Sequence, residues 1–369
     1  MVEKRIKKEH EIVGYMDSDS RISIFREKPF YRAADLPALS FDYIIITVQG
    51  RKTALEIYHM IIAKYGITEE HIIPFYVYAD CARYRVRLKA CKPETIRGLI
   101  FGNSHAECGY LEEDLCVPFL NMAVSSQDIY FNYQTFQSCI FQYGTRWESL
   151  SYIVIDMYDY YYLNCDTSLT GYMINYILWG GYLDEHNFKY NHNYAKPFGE
   201  ELSDRAYMPQ RASRLRFLFD DDGVRAGIRA DDRWRHIDRY DFIELEPIIK
   251  EAVINRYENT IKENKKLLRM FLDEIKRFRS DIQIIFTLIP RYIEMERATK
   301  LFMRPWEEEF HDIMNRICKA YGAVFWNYKN REDISGNHTF YYDIAHLNTT
   351  GARALTSLFN EDLKKWEKK

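Results

Sequence analysis

At 369 residues the chain is long enough for two domains of about 150 residues each, either able to bury a core. Lys+Arg (51) and Asp+Glu (54) nearly balance, leaving a formal charge of −3 and a pI near 6.4, so no net field draws the whole molecule onto nucleic acid or an anionic membrane. No run approaches the roughly 18 apolar residues of a membrane span, and Met1 to His10 is Lys- and Glu-rich, without the apolar core of a secretory signal.

These features give the expectation of a cytoplasmic protein. The seven cysteines (Cys81, Cys91, Cys108, Cys116, Cys139, Cys165 and Cys318) are odd in number and form no CxxC pair, which argues against a disulfide framework and a zinc site. The 30 tyrosines exceed ordinary usage and suit either a sugar-binding cleft or a core in which rings are buried and hydroxyls stay wet.

In chain order, Glu11 to Asp17 is a short apolar run ending in turn residues, and Phe41 to Val48 is a β-branched run suited to a strand buried on both faces. Thr53 to Tyr65 places Leu55, Tyr58, Ile61 and Ile62 on one helical face; Gly66 is its stop and His71 to Phe75 the next strand. Strands alternating with a helix predict a small parallel sheet. Through Val13-Gly-Tyr-Met-Asp-Ser-Asp19, Phe41 to Ile46 and Tyr65 to Ile73, this stretch resembles the Rossmann-like half-domains that open several bacterial polysaccharide-biosynthesis proteins. It lacks their first strand and Gly-rich turn, so the phosphate cradle of a dinucleotide site is missing. The expectation for 1–92 is a truncated Rossmann-like domain that serves as scaffold, as a homo-oligomer contact or as a docking surface for a biosynthetic partner.

A basic connector from Ala79 to Lys92 leads to a second domain, 93–369. Its predicted elements are a strand Leu99 to Phe101, a strand Tyr152 to Tyr160 with its exit, a helix Ile254 to Arg279, a strand Asp281 to Ile289, a helix Trp306 to Tyr321, a strand Ala323 to Trp326 and a closing amphipathic helix Thr349 to Lys364. Between them, 165–250 is an irregular insertion, with nine Arg and seven Asp from Asp204 to Arg239 that read as a salt-bridged face or as an arginine patch for a phosphorylated ligand. Asp184, Glu185, His186 and His192 lack the short paired spacing of a metal site and read as a solvated loop. The alternation predicts an α/β, flavodoxin-like three-layer domain with a parallel sheet.

Two motifs carry chemistry. Gly102-Asn103-Ser104-His105 follows the first strand of this domain, where a small-residue turn projects a serine from the strand end into the ligand crevice. A serine needs a base, and the base needs an orienting group. Asp343 and His346 lie three residues apart, just before the helix that Asn348, Thr349 or Thr350 would cap, so the carboxylate can reach the imidazole within one loop.

Gly-Asn-Ser-His after the first strand and Asp343-x-x-His346-Leu347-Asn348-x-x-Gly351 near the C-terminus resemble blocks I and V of the SGNH (GDSL-like) hydrolases. The resemblance covers about residues 97–369 and implies an SGNH-type domain with Ser104, His346 and Asp343 as catalytic triad. Its oxyanion hole would use the Ser104 N–H and a block II amide, with Ser125 or Ser126 where the family has glycine. Block III departs from the pattern: Tyr158 or Asp159 stands where an asparagine donor is expected, leaving Asn103, Asn164 and Tyr158 as substitutes. His105, Tyr158, Asp159 and Asn164 are the candidates for substrate contact.

The implied activity is an O-acyl esterase or O-acyltransferase acting on an acylated sugar, polyol or glycan precursor of a bacterial surface polysaccharide. No metal or tightly bound cofactor is required, and acetyl-CoA is an acyl donor open to a transferase. The alternative is a non-catalytic glycan- or partner-binding module.

Overall fold

The structure is a computed structural model that describes residues 2–3, 6–17, 24–48, 50–78, 91–166, 215–219 and 254–368. The connector at 79–90, Asp184, Glu185, His186, His192 and most of the charged stretch 204–239 lie outside the described residues. The chain divides into two compact units. The described residues up to 78 and 215–219 belong to the first, and 91–166 and 254–368 to the second.

In the first unit, β4 (Ile44–Ile46) and β5 (Ile72–Pro74) form a parallel pair joined by α1 (Arg51–Tyr65), which ends at Gly66 in the left-handed region. Tyr58 and Ile61 of α1 are buried with Ile46, Ile72 and Ile73. The apolar run at 11–17, expected in this sheet, does not join it. Only β1 (Tyr15–Met16) is extended there, and it pairs in parallel with β3 (Lys28–Tyr31), whose other edge carries β2 (Ile24–Phe25) antiparallel. Two residues with an exposed Met16 cannot bury both faces as a central strand must.

The second unit contains β6 (Gly98–Phe101), α2 (Ser104–Gly109), β7 (Phe119–Asn121), α3 (Ile129–Tyr143), β8 (Tyr152–Asp156), α4 (Glu258–Phe278), β9 (Gln283–Leu288), α5 (Ile293–Tyr321), β10 (Val324–Asn327) and α6 (Thr349–Glu367). Its five strands are all parallel in the order β10-β9-β8-β6-β7. Counted within this unit that is the 2-1-3-4-5 order of flavodoxin-like sheets, whose ligand crevice lies beyond the carboxyl ends of the strands.

Strand alternation builds the layers. Ile100, Val154, Ile285 and Val324 stand in register and pack with Leu355, Leu358, Phe359 and Leu363 of α6. One residue further, Phe101, Ile155, Phe286 and Phe325 form the opposite row. There Phe101 meets Phe136 of α3 and Phe271 of α4 at 6.0 and 5.5 Å between ring centres, and Phe325 meets Phe310 of α5 at 5.7 Å. The domain is therefore α/β with helices on both sheet faces. One element differs in length: α5 begins at Ile293, thirteen residues before the predicted start, and runs through Pro305. Proline lacks the N–H that would reach the carbonyl four residues back, so the sequence pattern breaks there while the helix does not.

Candidate active site

The carboxyl end of β6 turns at Gly102 into α2. A Cβ at 102 would lie 2.8 Å from the Ala106 Cβ and 3.0 Å from the Asp156 Cβ, so only glycine lets the chain pass this close to β8. Asn103 caps α2, its Oδ1 accepting the His105 N–H at 3.0 Å. Ser104 then occupies the first helical position, where the intrahelical ladder leaves the N–H without a partner.

The loop before α6 brings up the base. The residues on either side of it, Tyr341 and Leu347, form an antiparallel bridge, and the Tyr342 N–H donates to the His346 carbonyl at 2.8 Å. The Tyr341 hydroxyl reaches the Pro290 carbonyl after β9, and Asn348 caps α6 by accepting the Gly351 N–H at 3.0 Å. Inside this closed loop the Asp343 Oδ1 accepts the Ala345 and His346 N–H groups, both at 2.8 Å. Its two oxygens lie 3.0 and 2.9 Å from His346 Nδ1, and His346 Nε2 lies 2.8 Å from Ser104 Oγ across 242 residues of sequence. Burial alone would raise the Asp343 pKa. The hydrogen bond and charge of His346 and the two backbone donors outweigh it and hold the group below its ordinary value. An ionised Asp343 can only accept, so Nδ1 carries the proton and Nε2 is the acceptor for the Ser104 hydroxyl.

Around this line, His105 is 2 % exposed, with its ring 4.7 Å from Tyr158 and 4.9 Å from His346. Burial, then the charges of His346, Arg291 and Lys329, keep its pKa well below the usual histidine value, so it stays neutral beside His346. Tyr158 holds a φ of 58°, an outlier for so bulky a residue, immediately after the β8 end. Ser126 is also left-handed at φ 56°, the backbone conformation that a glycine would supply at this turn.

Three predicted roles do not match these positions. The Ser125 N–H and hydroxyl both donate to Glu107 Oε2, at 2.8 and 2.7 Å, so the predicted oxyanion role does not fit this amide. Asp159 cannot touch substrate: it is fully buried, with Lys329 Nζ at 2.8 Å and Arg291 Nη1 at 2.7 Å. Asn164 is turned inward too, donating to the Asn255 carbonyl at 2.8 Å and accepting the Tyr257 N–H at 2.7 Å, which pins the start of α4.

Sequence reading passed over Glu107, Glu296, Arg291 and Lys329. Glu296 on α5 completes the buried cluster, 2.7 Å from Arg291 Nε and 2.9 Å from Lys329 Nζ. The signal was present: Arg291 and Lys329 each follow a strand end on the crevice side, and Glu107 is the one charged residue of α2. Among the described residues no group of three or more His, Cys, Asp or Glu side chains could hold a metal ion, and no helix is long and apolar enough to cross a membrane.

No protein-family model and no curated protein matches the chain in sequence. Among solved structures the chain is similar to a GDSL-like lipase from Bacteroides thetaiotaomicron, at 13% identity and a TM-score of 0.36, over 78% of this chain and 98% of that one.

Proposed function

We propose that the chain is a serine-dependent O-acyl esterase or O-acyltransferase of the SGNH type, acting on an acylated sugar, polyol or glycan precursor in bacterial surface-polysaccharide metabolism. The observation that carries this reading is the unbroken line from Ser104 Oγ through His346 to Asp343, with contacts of 2.8 and 2.9 Å. Ser104 Oγ attacks the acyl carbonyl carbon while His346 Nε2 takes its proton, and the carbonyl π pair moves onto oxygen. Asp343 holds the imidazole and stabilises the imidazolium. Collapse of the tetrahedral intermediate expels the alcohol oxygen, which receives the proton from His346. Water, or an acceptor hydroxyl, then attacks the acyl-serine by the same steps in reverse.

The Ser104 and Ser126 amides are the backbone donors for the developing oxyanion, and the Nδ2 end of Asn103 adds a third beside Ser104. His105 and Tyr158 form the wall next to His346. In a transferase, acetyl-CoA would supply the acyl group. The N-terminal Rossmann-like unit would serve as scaffold or docking surface.

A fluorophosphonate should label the protein at Ser104, and Ser104→Ala should abolish both labelling and p-nitrophenyl acetate hydrolysis, a loss of at least about 10³-fold. Equal rates for the two proteins would remove the reading. A non-catalytic glycan- or partner-binding module is the second reading, favoured by one observation: Asp159 stands buried where a side-chain donor is expected. Glycan binding without labelling at Ser104 would establish it.

A further inference from the structure

We propose that Glu107 is a positioning residue for acyl transfer, its buried carboxylate locking the turn at 124–127 against the helix that carries the nucleophile. The inference rests on the reading of Ser104 above. Glu107 lies one turn after Ser104 in α2 and is 2 % exposed. Its Oε2 accepts both donors of Ser125, the backbone N–H at 2.8 Å and the hydroxyl at 2.7 Å. Further bonds join the same two segments: the Val124 N–H reaches the Gly102 carbonyl at 3.3 Å, and Asn121 Nδ2 reaches the Ala106 carbonyl at 2.8 Å. The Gln127 N–H closes the turn on the Val124 carbonyl at 3.1 Å, with Ser126 left-handed between them.

A buried carboxylate is costly unless its hydrogen bonds repay the lost water. Two hydrogen bonds converging on a single buried oxygen tie this turn to α2, and losing the acceptor would leave both Ser125 donors unsatisfied. The consequence is geometric. The Ser104 amide belongs to α2 and the Ser126 amide to the turn, and Glu107 makes their separation a fixed property of the fold. An oxyanion pocket works only if its donors stand where charge will develop.

The variants Glu107→Ala, Glu107→Gln and Ser125→Ala test this with p-nitrophenyl acetate as substrate and phenylboronic acid as tetrahedral analogue. Glu107→Ala should lower kcat by about 10²-fold, the loss expected for a displacement near 1 Å, with KM unchanged. Boronate affinity should fall in parallel with kcat. Glu107→Gln, whose amide oxygen can still accept from Ser125, should recover part of the loss, and Ser125→Ala should fall between it and wild type. The rate of fluorophosphonate labelling gives the same comparison where ester turnover is slow.

Full kcat in folded Glu107→Ala, or a lower kcat with unchanged boronate affinity, overturns the proposal. If Glu107→Ala does not fold, the other two variants decide: wild-type kcat and boronate affinity in both overturn it. Ser104→Ala separates the two claims. Activity without Ser104 defeats the reading of the site, whereas a required Ser104 with silent Glu107 and Ser125 variants defeats only the positioning role.

Discussion

Among the acids at the strand ends, burial displaces Asp156 far from its ordinary value. It ends β8 with no exposure, accepts the Tyr158 N–H and the Thr287 hydroxyl, both at 3.2 Å, and its pKa is pushed up to about 7 by burial, against the pull of those hydrogen bonds. The unfolded chain ionises this group near 3.8, so between pH 4 and 7 the folded state holds a proton that the unfolded state has lost. Stability from this residue is therefore greatest below pH 4, falls with a slope approaching about 1.4 kcal/mol per pH unit, and levels off above 7. Asp156→Asn cannot titrate. Denaturant unfolding at pH 4, 6 and 8 should show the variant gaining on wild type as the pH rises, and a constant difference across the series would mean that Asp156 is ionised throughout. The strained Tyr158 amide hangs from the same carboxylate, so the titration also touches the wall beside His346.

The elements meet at the crevice through charge as well as packing. Asp159 follows β8, Arg291 follows β9, Lys329 follows β10 and Glu296 lies in the first turn of α5, and the four side chains join these strand exits in one buried, balanced cluster. Breaking such a cluster on one side leaves an uncompensated charge. Asp159→Asn should cost about 3–5 kcal/mol, read as a drop in the denaturant midpoint, and Lys329→Met a similar amount. The double variant should lose clearly less than the sum, because it removes the opposite charges together; strict additivity would show that the cluster is not energetically coupled. This cluster also marks what the sequence could and could not reveal. Four of the five strands and the three long helices after residue 254 were readable because Ile100, Val154 and Ile285 on one face, and Leu355, Phe359 and Leu363 on the helix above, repeat at the periods of their own backbones, whereas β7, α2 and α3 were not predicted. Ser104, Asp343 and His346 were readable because each sits at a strand or helix boundary with a recognisable turn. Asp159, Arg291 and Lys329 also follow strand ends, but no turn motif beside them names a partner. Their pairing is fixed by strand order, which no spacing encodes, and so Asp159 looked like a substrate contact.

At the scale of the whole molecule, the chain does not divide cleanly at one point. Leu215–Leu218, numbered inside the long insertion of the second domain, belongs to the first unit. The Lys7 N–H donates to the Leu218 carbonyl at 2.9 Å, Ile6 bridges Phe219, and the rings of Phe75 and Phe219 lie 4.8 Å apart. Leu215, Leu218 and Phe219 are all buried. A chain begun at residue 93 would remove the partners of these three side chains and present them to water, and burying one such side chain stabilises by about 1.5–3 kcal/mol. That truncated chain should bind the dye ANS and elute as aggregates on size exclusion. Replacing Leu215, Leu218 and Phe219 by serine in the same truncated chain should restore a monodisperse peak that a fluorophosphonate still labels at Ser104, because the parallel sheet and its crevice residues all lie in the second unit. A truncated chain that is monodisperse and dye-free with the native residues in place would show that the segment at 215–219 does not depend on the first unit for its burial.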